Sequence, residues 1–89
     1  MSLTLLHFIK SFMSGRLEPV VFTEAYMELW KIERDLNKLF DYPPHINEVL
    51  SSIFCISDNF CAEEDRLDVE FNEEQLRQHI KIELARLEI

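Results

Sequence analysis

Only four of the chain's 89 residues are glycine or proline (Gly15, Pro19, Pro43 and Pro44), and that scarcity leaves it few ways to turn sharply. An all-β domain of this size needs a turn every ~8–12 residues, built mostly from those two residue types. Long helices with few connections are what such a chain can form. Apolar residues recurring every three and four positions say the same, and 89 residues suffice for one modest core but not two. The expected architecture is all-α, a single domain over residues 1–89 folded as an antiparallel four-helix bundle.

The first helix is expected from about Leu3 to Met13, with Leu5, Phe8, Ile9 and Phe12 on one face. Gly15 should stop it, because glycine adopts the left-handed conformation at little steric cost. Pro19 fits the first turn of a second helix, where its missing N–H has no intrahelical partner. Phe22, Ala25, Leu29, Ile32, Leu36 and Leu39 then form a stripe that carries this helix to about Phe40. Pro43 and Pro44 break the chain ahead of a third helix, His45 to Asn59, with Ile46, Val49, Leu50, Ile53 and Phe54 inward. Leu67, Val69 and Phe71 alternate with acids and suggest an extended passage laid on the bundle. Asn72 and Gln75 then have the spacing of a helix cap, and Leu76, Ile80, Leu84 and Leu87 continue a fourth helix to the C-terminus.

Charge is distributed unevenly. Residues 1–40 carry five acids and five bases, residues 41–75 ten acids against Arg66 alone, and residues 76–89 two acids and three bases. The net charge of −8 is therefore a local property of the middle of the chain. Such a field repels nucleic acid and steers basic partners toward it. The apolar opening LTLLHFIKSFM lacks a basic leader and a small-residue cleavage site, and reads as a core helix rather than a signal peptide. With no stretch of the ~20 apolar residues a membrane span needs, the expected location is cytoplasmic, where Cys55 and Cys61 would be free thiols.

Enzymatic chemistry finds little support. His7, His45 and His79 lie on three different helices, and none has a partner at HExxH spacing. The serines include no G-x-S-x-G turn, and a single glycine cannot build a phosphate-binding loop. Calcium would find oxygen ligands in Asp58, Glu63, Glu64, Asp65 and Asp68, but not the central glycine of an EF-hand loop. No cofactor or metal is implied, and the chain is not expected to be an enzyme.

Residues 58–74 hold eight carboxylates and one arginine. Asp58 and Glu63–Asp65 should lie within about a Debye length of one another, ~8 Å at physiological salt, and repel. A solvated surface loop would be the ordinary explanation, yet ordinary surfaces intersperse such acids with lysine. A basic partner accounts for the run better. Tyr42 and Phe60, flanking the third helix, are the aromatic residues best placed to contact it. From these features alone the partner could equally be a DNA-binding regulator that this acidic module sequesters.

The stretches FMSGRLEPVVFTEAYMELWKIERD (12–35), INEVLSSIFCISDNFCAEEDR (46–66) and EFNEEQLRQHI (70–80) together resemble the colicin D-type bacterial immunity family, which includes contact-dependent growth inhibition immunity proteins. The resemblance rests most on Phe12, Gly15 and Phe22, on Ile53, Phe54, Asp58 and Phe60, and on Asp65-Arg66 ahead of the last helix. It implies a four-helix bundle that binds the C-terminal nuclease domain of a toxin, a tRNA-cleaving ribonuclease in the type case. Acidic side chains there cover the active site in place of substrate phosphates. Carried over, Asp58 and Glu63 match acidic contact positions, and Glu64, Asp65 and Asp68 extend the surface. Where the family pattern has a third acid between the first two, this chain has Cys61.

Overall fold

The computed structural model of the chain describes residues 4–87, and these form four helices: α1 (Thr4–Met13), α2 (Pro19–Asp35), α3 (Pro44–Asp58) and α4 (Glu73–Ala85). The expected start at Leu3 and the last residues of the C-terminus lie outside the described range. α4 ends at Ala85 rather than running on, although Leu87 still packs against the core. Each helix packs on its neighbour in sequence or, for α1 and α4, is tied across the bundle. The start of α2 meets the end of α3, while Tyr42, just ahead of α3, bonds to Glu33 near the end of α2. Arg86 past the end of α4 reaches Glu48 near the start of α3 at 2.7 Å. Consecutive helices therefore run in opposite senses.

Gly15 adopts φ +90°, and no atom lies within 4 Å of where a Cβ would sit, so the backbone conformation alone requires glycine there. Its turn brings Phe22 onto Phe12, the rings stacked at 4.2 Å and 10°. Phe8 and Tyr26 extend the stack, each 5.5 Å from Phe22. Leu5, Ile9, Val49, Leu50, Ile53, Leu76 and Ile80 complete the buried core. The Arg77 guanidinium lies 4.1 Å over the Phe12 ring and donates to the Phe12 carbonyl at 3.0 Å, which ties α4 to the end of α1.

α2 departs from expectation in length and in face. It stops at Asp35 rather than near Phe40, because Asn37 takes the left-handed region at φ 59°, a conformation asparagine tolerates better than most residues. A 3-10 turn, Lys38–Asp41, follows and swings Leu39 and Tyr42 into the core. The expected stripe holds at Phe22, Leu29 and Leu39 but fails at Ile32 and Leu36, which are 52% and 59% exposed. Thr23, Tyr26 and Glu33 are buried beside Phe22, and Trp30 packs against Phe54 at 4.4 Å. The buried aromatics Phe22 and Tyr26 and the half-buried Trp30 supply most of the volume on the inward side of α2. The Tyr26 hydroxyl donates to the Leu50 carbonyl at 2.7 Å, and Tyr42 donates to Glu33 Oε1 at 2.9 Å.

Candidate functional site

The end of α3 and the start of α4 lie side by side, and a short backbone pairing holds them. Phe71 N–H donates to the Asn59 carbonyl at 2.8 Å, and Cys61 N–H donates to the Phe71 carbonyl at 2.9 Å, a parallel bridge between Phe60 and Phe71. Below the bridge, Phe71 stacks on His79 at 4.3 Å. The capping box is formed as its spacing predicts: Gln75 N–H donates to Asn72 Oδ1, and Asn72 N–H donates to Gln75 Oε1. Residues 61–70 project as a loop whose ends are fixed. Arg66 Nε donates across it to the Cys61 carbonyl at 3.0 Å, and Leu67 N–H donates to Glu70 Oε1 at 2.7 Å. The extended passage expected to lie on the bundle is absent: Leu67 and Val69 are 67% and 73% exposed, because the Leu67–Glu70 turn lifts them off. Of the three alternating residues, only Phe71 packs.

Asp58 ends α3, and Glu63, Glu64, Asp65 and Asp68 follow on the loop, all five exposed. Among the described residues none of them has an ion-pair partner. Two bases at this end of the bundle, Arg66 and Arg77, are bonded to groups other than these acids, while Arg16 on the α1–α2 turn is exposed with no ion pair among the described residues. Arg66 is on the Cys61 carbonyl, and Arg77 is shared between Glu73 at 3.0 Å and Phe12. Asp58 also stands at the negative end of a helix dipole, with no base in the last turn of α3 to offset it. The surface is thus a concentrated negative field, its loop acids offset only by the charge of Arg66.

Three of the expected contact residues, Asp58, Phe60 and Glu63, border one groove of about 360 Å³. Its opposite wall comes from α2, which contributes Val20, Thr23, Glu24 and Met27. Ser57 lies along it, 2% exposed, and its Oγ has no hydrogen-bond partner. Glu64, Asp65 and Asp68 stand outside the groove on the loop. Tyr42 does not belong to this surface. It is 4% exposed, and it precedes the fifteen-residue α3 at the far end from Asp58, about 20 Å away at 1.5 Å per residue. Burial and the bond to Glu33 push its phenol pKa well up, as burial does for Tyr26.

The description of bacterial self-protective colicin-like immunity matches residues 1–87. The chain belongs to that family. No curated protein matches it. Membership makes this a toxin-neutralising immunity protein, an inhibitor whose partner is its cognate toxin. Among the described residues no helix is long and apolar enough to cross a membrane, and no group of three or more histidine, cysteine, aspartate or glutamate residues is placed to hold a metal ion.

Sequence reasoning overlooked Val20, Thr23, Glu24, Met27, Ser57 and Ala62 as groove residues, and of these Glu24 and Ser57 are the polar ones of most consequence. Glu24 reads as one more solvent-face acid of α2 until the antiparallel turn at Pro43-Pro44 is drawn. That turn sets the start of α2 opposite the end of α3. Ser57 continues the Val49, Leu50, Ile53 stripe by four residues, and that spacing already signals its burial.

Proposed function

We propose that this immunity protein neutralises a nuclease toxin, a tRNA-cleaving ribonuclease, by laying the acidic surface of Asp58, Glu63, Glu64, Asp65 and Asp68 over the toxin's basic active site. A ribonuclease must present lysine, arginine or histidine to phosphate oxygens, and fixed carboxylates can occupy those positions without offering a scissile bond. The observation that carries this reading is that, among the described residues, none of the five exposed acids has an ion-pair partner. Opposite charge speeds encounter, to about 10⁸ M⁻¹s⁻¹ or more for well-steered pairs. Phe60, half-buried beside the acids, supplies apolar contact that slows dissociation. The complex forms in the cytoplasm of the producing cell, where the toxin would otherwise reach its RNA. Delivery of the toxin is of the colicin or contact-dependent inhibition type.

The test is to purify the C-terminal domain of the toxin encoded beside this gene and assay tRNA cleavage with and without the protein. One molar equivalent should abolish cleavage, and Asp58→Asn or Glu63→Gln should demand a large excess. Cleavage unaffected by wild-type protein would refute the proposal.

A further inference from the structure

We infer that the groove between α2 and the end of α3 receives one long basic side chain, lysine or arginine, projecting from the toxin. This rests on the immunity reading and gives the acidic surface a specific point of insertion. Three carboxylates from separate segments border the groove: Glu24 on α2, Asp58 at the end of α3 and Glu63 on the loop. No lysine, arginine or histidine lines it. Arg66 borders the adjoining depression with Glu73 and is bonded to the Cys61 carbonyl.

The second observation is Ser57. A buried hydroxyl ordinarily finds a partner, since leaving one unpaired costs about 1–3 kcal/mol. Here the Oγ has none, and the residue lies along the groove. The atom is buried as it stands, and a rotation of this short side chain would present it to an N–H donor arriving in the groove. Met27, Val20 and Phe60 offer apolar walls, so the site pairs an aliphatic lining with an anionic rim. That is the complement of a lysine or arginine side chain, which buries an apolar stem and carries charge only at its tip. A metal ion is a poor fit, because no group of potential ligands converges among the described residues. At about 360 Å³ the groove is at the small end of ligand clefts, which suits one side chain rather than a whole ligand. Glu24 and Met27, on α2 across the groove from the acidic loop, thereby become determinants of which toxin is bound.

Two experiments decide it. In the first, the ¹⁵N-labelled protein is titrated at low salt with n-butylguanidinium, n-butylammonium and the neutral n-butylurea. Either cation should give saturable shifts at Glu24, Ser57, Asp58 and Cys61 amides, butylurea should not, and Ala62→Trp at the exposed rim should weaken the effect at least fivefold. Shifts that do not saturate, or that are equal in Ala62→Trp, overturn the inference. In the second, the toxin's nuclease domain is titrated with variants. Glu24→Gln and Ala62→Trp should each weaken binding at least tenfold, while Glu28→Gln, the same charge change one turn along α2, stays within twofold. Tight toxin binding unchanged by Glu24→Gln and Ala62→Trp overturns the groove and leaves the immunity reading standing. If wild-type protein binds no toxin, the immunity reading fails, and the small-cation titration still decides the groove.

Discussion

Asp58→Asn should make the protein more stable and a worse inhibitor. Asp58 is the last residue of α3, no base stands in that final turn, and its side chain has no ion pair or hydrogen bond with the rest of the described chain. A carboxylate at a helix C-terminus opposes the dipole by about 0.3–1 kcal/mol when exposed. Glu24 and Glu63 border the same groove, and a like-charge pair at roughly 8 Å in water costs a further ~0.5 kcal/mol before screening. Replacing the charge with an isosteric amide should therefore gain about 0.5–1 kcal/mol. For a domain of this size that is a rise in melting temperature of roughly 2–8 °C. Thermal unfolding followed by circular dichroism at pH 7 measures it, and the gain should shrink in 1 M NaCl as the charges are screened. Titration against the toxin domain should show weaker binding by the same variant. A lower melting temperature would show that Asp58 makes a stabilising contact, and would refute the placement of its charge as one kept for binding at a cost to the fold.

Other consequences follow from the core. Tyr42→Phe removes the donor to Glu33, whose other oxygen already lacks a partner, and should destabilise by about 1–3 kcal/mol in chemical denaturation. The double variant Glu33→Leu/Tyr42→Phe should recover most of that loss, since both halves of the buried pair are then gone. Both Tyr26 and Tyr42 have phenol pKa values raised above the ordinary 10.0, chiefly by burial. The unfolded chain thus releases these protons first: stability should be unaffected by them below pH 10 and should fall as pH climbs above it, a trend that melting temperatures from pH 9 to 11.5 would check. Gly15→Ala should cost about 1–2 kcal/mol from backbone strain alone, with no clash to relieve, and a compensating core substitution should not rescue it.

Much of this architecture is legible before any coordinates. The α1 face, Gly15, the proline start of α3 and the Asn72–Gln75 cap all follow from local rules that the fold does not override. α2 was legible at Phe22, Leu29 and Leu39 and misleading at Ile32 and Leu36, because the last turns of the helix depend on what neighbours are there to pack against. Phe22 and Tyr26 found an aromatic stack on α1, whereas Ile32 and Leu36 found nothing to pack against. The end of α2 was nevertheless readable at Asn37. Leu67 and Val69 misled because alternation signals a strand only where a surface is available to receive it. At the site, the acids could be named from their density. Ser57, next to Asp58 on α3, was readable from its spacing, whereas Glu24 joins the groove only once the antiparallel pairing of α2 with α3 is known, because that wall is set by topology rather than by local sequence.

The central claim is that recognition is electrostatic and centred on the acidic end of the bundle. The most direct test is the toxin domain's association rate and affinity measured from 50 to 500 mM NaCl, for wild-type protein and for Asp58→Asn/Glu63→Gln. The account predicts that wild-type affinity falls at least tenfold over that range, mainly through slower association, and that the double variant binds more weakly with a shallower salt dependence. Affinity that is flat with salt, or equal slopes for the two proteins, would contradict it.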